Sequence, residues 1–380
     1  MSRPVPITNT PRDYAWGMPD GVSRALGWRP SGGPEAELWL GAHPLSPSRA
    51  AGDAPWRDLA EWERDAGTPL PFLMKVLSAA SNLSLQAHPT TAQAREGFAR
   101  EEAAGVPLEA AERNYKDPHA KPEIIVAIDD GFEALCGFRP AGETAAAIDR
   151  LGIDEHGPHA PASARWRALL AGPDGVRAAF LWLLSGAPEV AGLVSAVTDA
   201  GVDELATRLA EGYPGDPGIL VALMMNRVTL RAGEALWLPA GNIHAYLRGT
   251  GVELMGPSDN VLRGGLTPKH VDRAELERVL DFTPGPPSRL QPEAVAANVA
   301  SYRPARLPSG ADVDFELLLV TGDAAFRTGS AAIALAVDGG FALTADGASA
   351  DISRGGILFL PDAADVTATG SGRLFVATGL

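Results

Sequence analysis

Residues 238–269 read LPAGNIHAYLRGTGVELMGPSDNVLRGGLTPK. This stretch holds one candidate metal ligand, His244, two carboxylates, Glu253 and Asp259, and a run of cations that closes with Arg263 and Lys269. Just upstream, residues 226–230 and 235–238 are short apolar runs separated by Arg-Ala-Gly-Glu, the punctuation of an antiparallel meander. His244 follows a Pro-Ala-Gly-Asn turn and so opens the next strand. Short strands joined by tight turns are how a jelly-roll or cupin barrel aims side chains into its mouth. The expected fold is therefore mainly β, with the rest of the chain bringing further ligands to this barrel.

The most informative segment upstream is residues 70–85, LPFLMKVLSAASNLSL, apolar apart from Lys75 and a small Ser/Asn turn. A lysine in such a run must meet an anion or reach water, because burial without a partner is costly. Gln86-Ala87-His88-Pro89 follows, and alternation along a strand puts Gln86 and His88 on one face. The same spacing of two places Lys121 and Glu123 together in Lys121-Pro122-Glu123, with Pro122 restricting that piece to a sheet edge or bulge. Two imidazoles and a carboxylate suit zinc, and the Gln86 amide oxygen as a fourth donor leaves room for water or substrate. Lys75, Lys121, Arg263 and Lys269 form a second set, cations in apolar or Gly-rich surroundings and suited to phosphate oxygens. Ser84 and Thr267 can add neutral donors. Trp16, Trp39 and His43, in the first 50 residues, are read as packing residues, the imidazole capped or hydrogen-bonded.

The remaining texture divides the chain. Residues 141–215 are Ala-rich with Leu at helical spacing and Gly-Pro breaks, which predicts a helical insert with its own small core. His156 and His159, in a Gly/Pro-rich loop there, are read as solvated. Pro-Gly-Pro-Pro at 284–287 marks a linker. Beyond it, short apolar runs with Gly and Asp turns and no histidine predict a smaller antiparallel sandwich that cannot repeat a metal site. The expected units are residues 1–140 with 216–283 as the metal-bearing domain, 141–215 as the insert, and 284–380 as a C-terminal β domain.

A net charge of −15 argues against a nucleic-acid surface and an anionic membrane. An anionic small substrate would need a local cluster of cations. Cys136 is the only cysteine, so no intrachain disulfide forms and a reducing, cytoplasmic setting is expected. The N-terminus lacks the basic-then-apolar plan of a signal peptide, and no uninterrupted apolar stretch approaches the roughly 18 residues of a membrane span.

These residues carry a family resemblance. YAWG at 14–17, AELWLGAHP from Ala36, LPFLMKVLSAASNLSLQAHP from Leu70, KPE at 121–123, FEALCGFRP from Phe132 and SDNVLRGGLTPK at 258–269 occur in this order. In them the chain resembles the type I phosphomannose isomerases. The resemblance implies a metal-bearing cupin domain, a helical insert and a second cupin-like domain. It implies one Zn2+ on Gln86, His88, Glu123 and His244, with Arg263 tied to catalysis and Lys121, Glu253 and Asp259 lining the site. Lys75, Ser84 and Lys269 match positions associated with the sugar phosphate. The implied reaction moves a proton between C2 and C1 of a hexose 6-phosphate through a cis-enediol. The expected partner is a small-molecule sugar phosphate, with neither nucleic acid nor membrane, and the expected assembly is a monomer or weak homo-oligomer. The family commonly has a histidine directly before KPE. Here that place is Ala120, and alternation would turn His119 toward Lys121 and Glu123 instead. Two other readings share parts of the pattern: a non-haem iron cupin oxygenase, and a sugar-phosphate-binding cupin without chemistry.

Overall fold

The computed structural model describes residues 3–380. It is mainly β: one ten-stranded sheet built on the long strand His244–Met255, a second made largely by the C-terminal part of the chain, and a group of helices between residues 141 and 222. This is a cupin-type barrel with a helical insert and a second, C-terminal β unit.

His244–Met255 serves two parts of the barrel because it bends at Gly249. Its first half pairs with Phe132–Phe138, His244 lying opposite Cys136, and also sets His244 opposite Gln86. Its second half runs between Leu73–Ala79 and Glu123–Ala127, with Glu253 opposite Lys75 on one side and Ile125 on the other. At the bend Gly249 has φ +117°, and a Cβ there would fall 2.8 Å from Phe132 Cα. Only glycine fits both the dihedral and the close approach.

Strict period-two alternation sorts the side chains. Leu38, Leu40, Met74, Val76, Ile124, Val126, Trp237, Val252 and Leu254 face outward into a core shared with Phe315, Leu317, Ile333, Leu335, Phe359 and Phe375 of the C-terminal sheet. Leu85, Ala87, Leu135, Ala245 and Leu247 face a different way and pack against the helices, among them Trp166, Phe180 and Leu193. The remaining faces turn into the barrel. There, Leu77, Ile125, Phe132, Ala134, Leu236 and Leu238 make an apolar floor, and the charged residues gather at one end.

Helix ends follow the local chemistry. Thr90 and Gln93 form a reciprocal capping box that starts Thr91–Ala103 immediately after His88-Pro89. Asp272 accepts from Glu275 N–H and starts Arg273–Val279. Among the described residues no single helix is long and apolar enough to cross a membrane.

Three strands lie in sheets that their place in the chain does not suggest, among them Arg49–Ala50, which joins the C-terminal sheet by pairing with Val5–Thr8. Val5–Thr8 pairs with Ile357–Leu360 of the C-terminal sheet, and Arg289–Leu290 pairs with Ala235–Leu238 of the barrel. The two β units are laced together at both ends, so neither is a continuous piece of chain.

Candidate metal centre

Strand register assembles the centre. Gln86 lies opposite His244 on one neighbouring strand and opposite Arg263 on the other, so three site residues sit in a row across the sheet. His88 follows one residue after the end of Leu85–Ala87 on the face of Gln86, and Glu123 opens Glu123–Ala127 opposite Met255 and Leu238.

His88, Glu123 and His244 are all buried, and their ligand-type atoms lie within 4.8 Å of one another. His88 Nδ1 donates to the Asn260 carbonyl at 2.7 Å, and His244 Nδ1 donates to the Asn242 carbonyl at 3.0 Å. A carbonyl can only accept, so both rings carry their proton on Nδ1 and turn an Nε2 lone pair inward. Each Nε2 lies 3.2 Å from an oxygen of Glu123. The Gln86 amide is 3.3 Å from His244 Nε2, and a half-turn of that amide presents its oxygen. Thus lone pairs converge on one buried point, where His88 Nε2 and Glu123 Oε2 have no hydrogen-bond partner among the described residues. A cation resolves such a cluster. Ligand atoms about 2.0 Å from a tetrahedral ion are about 3.3 Å apart, so the donor set fits zinc.

Electrostatics prepares the ligands. Burial pushes His88 down to about 4, keeping the imidazole neutral. Burial alone would raise Glu123, but Lys121 and the two imidazoles override it and hold the carboxyl well below its usual range. Lys121 Nζ donates to Glu123 Oε1 at 2.9 Å.

Beside this centre lies a chain of buried charge. Lys75 Nζ is 3.2 Å from Glu253 Oε2 and 3.5 Å from Glu37 Oε1, and it stands over the Trp39 ring. Burial opposes its charge, yet Glu37, Glu253 and Glu123 together hold the ammonium above its usual range. Burial raises Glu253, with Lys75 pulling the other way and Glu123 adding to the rise. The Tyr246 hydroxyl donates to Glu253 Oε1 at 2.9 Å.

Arg263 differs from Lys75. Among the described residues no carboxylate pairs with its guanidinium, which burial depresses. Lys269 is exposed and close enough that Arg263 is the main cause of its own lowering. Ser84 is half-buried just before Leu85–Ala87. Thr267 Oγ1 accepts from Lys269 N–H at 3.1 Å.

Asp259 sits in a turn held by Asp117. Ser258 Oγ, the Asn260 amide and Asp259 N–H all donate to Asp117, and the Asn260 amide donates also to the His119 carbonyl. This staple also aims the Asn260 carbonyl at His88. Asp259 Oδ2 is 3.1 Å from His43 Nε2, and that hydrogen bond holds the Asp259 carboxyl below its usual range against partial burial.

Alternation is no guide to His119. The strand starts only at Glu123, the His119 carbonyl is committed to Ser258 and Asn260, and its ring is exposed. Sequence reasoning missed Glu37, Asp117 and Tyr246 as neighbours of the site; it read His43 as a capped or hydrogen-bonded imidazole, which it is, without naming Asp259 as its partner. Glu37 and Trp39 lie on one strand face, which was a usable signal. Nothing local in the sequence ties His43 to Asp259.

Residues 5–141 match the phosphomannose isomerase type I catalytic domain. The chain is 38% identical over 334 residues to the mannose-6-phosphate isomerase of Escherichia coli (strain K12), covering 82% of this chain and 80% of that one. It is 35% identical over 402 residues to that of Salmonella typhimurium, covering 97% of each. A crystal structure of zinc-bound mannose 6-phosphate isomerase superposes with a TM-score of 0.86 at 31% identity, covering 100% of both chains. The apo form from Salmonella typhimurium gives 0.85 at the same identity and coverage. Sharing this sequence, fold and catalytic domain, the chain belongs to the type I phosphomannose isomerase family.

Proposed function

We propose that this chain interconverts mannose 6-phosphate and fructose 6-phosphate, with one zinc ion held by Gln86, His88, Glu123 and His244. The observation that carries this reading is a buried cluster of converging acceptors beside an Arg263–Lys269 cation pair that no carboxylate balances among the described residues, one strand away. The first asks for a divalent cation and the second for an anion, so a phosphorylated sugar with neighbouring oxygens answers both. An iron centre for dioxygen would use the same imidazoles and carboxylate but has no need of the cation pair. The lone, buried Cys136 thiol supports a reducing, cytoplasmic setting.

When bound, zinc polarises the sugar carbonyl as charge develops during proton transfer. Lys269, with the Ser84 hydroxyl, holds the phosphate, so binding energy remote from the reacting carbons positions them. Arg263, fixed opposite Gln86, meets the charge that builds on the enediol oxygen. Lys121 keeps Glu123 ionised and offers a donor at the mouth. Glu253, raised by burial, is the better-matched base for a carbon-bound proton. Asp259, half-exposed and with Oδ1 uncommitted among the described residues, exchanges protons with sugar hydroxyls. Lys75 is already balanced by Glu37 and Glu253, so it orients Glu253 in preference to gripping the phosphate.

The test joins metal analysis of the purified protein to a coupled assay for fructose 6-phosphate. Arg263→Ala is expected to keep its zinc and lose about 10²- to 10³-fold in kcat. Turnover within a few-fold of the parent would remove Arg263 from its role. A zinc-loaded parent with no isomerase turnover would overturn the function itself.

A further inference from the structure

We infer that His43 is the positioning residue that sets Asp259 for opening the sugar ring. The inference rests on the isomerase reading and extends it to a residue outside the metal and phosphate sites. The His43 side chain is 9% exposed, whereas that of Asp259 is 47% exposed. A buried imidazole therefore reaches out to hold a carboxylate at the mouth. Such an arrangement adds little to stability, since the carboxylate it serves is half exposed and its pairing is screened by water.

The ring is fixed in two ways. Leu45 N–H donates to His43 Nδ1 at 3.2 Å, so Nδ1 is unprotonated and Nε2 carries the proton given to Asp259 Oδ2. Trp39 meets the ring edge-on with centroids 4.8 Å apart. On the other side, Asp117 accepts from Asp259 N–H at 2.9 Å. Asp259 is thus held by its backbone and by one carboxylate oxygen, and Oδ1 of this half-exposed side chain is left uncommitted among the described residues. The chain has seven histidines. His88 and His244 have their Nδ1 protons committed to carbonyls and their lone pairs at the metal point, and the His119 ring is exposed. His43 is the imidazole that reaches Asp259.

In ring opening, Asp259 Oδ1 removes the proton of the C1 hydroxyl as C1=O forms. The C1–O5 bond breaks, and the same proton passes to O5. The carboxylate begins and ends ionised, and no further reactant is needed. His43 keeps its proton throughout; its part is to hold Asp259 in one orientation.

The experiment compares the parent, His43→Ala and His43→Gln with mannose 6-phosphate carrying hydrogen or deuterium at C2. If His43 acts through ring opening, His43→Ala slows a step before C2–H cleavage. Its kcat/KM should fall about tenfold or more, and its deuterium isotope effect on kcat/KM should shrink toward one, with zinc content and unfolding midpoint unchanged. His43→Gln, whose amide can donate from a similar place, should recover part of both. An undiminished isotope effect in His43→Ala overturns the inference, as does a rate loss that follows zinc loss or that His43→Gln does not relieve. Parent turnover in the same assay reports on the isomerase reading separately.

Discussion

Lys75 and Lys269 match the same kind of position in the sequence, yet their surroundings predict opposite behaviour on mutation. Lys75 is buried between Glu37 and Glu253, and removing it leaves two carboxylates without a counter-charge. Lys75→Met should therefore lower folding stability by about 3–5 kcal/mol, the cost of breaking a buried pair from one side. Lys269 is exposed and repelled by Arg263, so Lys269→Met should leave the urea midpoint unmoved. It should lower kcat/KM about 10- to 100-fold, as expected for loss of a charge-assisted bond to phosphate. Denaturation and steady-state kinetics on both variants check the contrast. Equal stability losses would mean that Lys269 is structural. The sequence displayed both lysines as cations in apolar or Gly-rich company, but the sign of what each one faces depends on register. Lys75 lies opposite Glu253 and Trp39 only because three strands align there, and no local pattern carries that alignment. Gln86 with His88 was legible for the converse reason: two residues on one strand face need only the period of the strand.

The long strand His244–Met255 is the element on which this register hangs. It delivers His244 and Tyr246 before its bend and Glu253 after it, so the angle at Gly249 sets how the metal point faces the Glu37–Lys75–Glu253 chain. Gly249→Val would require a β-branched residue at φ +117° and put its Cβ 2.8 Å from the Phe132 backbone. The expected cost is about 3 kcal/mol or more, with zinc affinity and turnover lost together because His244 and Glu253 no longer share one frame. Zinc titration and thermal unfolding of Gly249→Val check this. A variant that stays stable and fully active would show that the bend is not needed. The apolar runs of this strand and its neighbours were visible as strands from alternation alone. The pairing of Val5–Thr8 with Ile357–Leu360 was not. A four-residue strand carries no information about a partner some 350 positions away, and only closure of the C-terminal sheet selects it.

At the scale of the molecule, folding buries weak acids in separate cores, inside the barrel and at its seam with the C-terminal sheet, and this sets an alkaline limit to stability. Cys136 lies inside the barrel, where burial pushes its thiol up to about 11 from 9.0. Tyr302 lies where the C-terminal sheet meets the barrel; its hydroxyl donates to the Gly233 carbonyl at 2.6 Å, and burial pushes it up to about 12 from 10.0. Tyr246, donating to Glu253, is raised well above its usual value as well. For each group the folded value exceeds the unfolded one. The stability these groups contribute is therefore complete below about pH 9, and between pH 9 and about 12 it falls, because the unfolded chain releases protons that the folded chain keeps. A two-unit shift is worth on the order of 3 kcal/mol, so Cys136 and Tyr302 together are comparable with the whole margin of an ordinary domain. Unfolding midpoints measured between pH 8 and 11 should drop steeply, with tyrosinate absorbance and thiol reactivity rising in the same cooperative step. Tyr302→Phe should flatten the upper part of that fall even while it starts less stable, since it leaves the Gly233 carbonyl without its donor. If tyrosinate forms in the native protein before unfolding, or if Tyr302→Phe falls as steeply as the parent, the seam between the two β units is open to solvent and the cores are not sealed by one another.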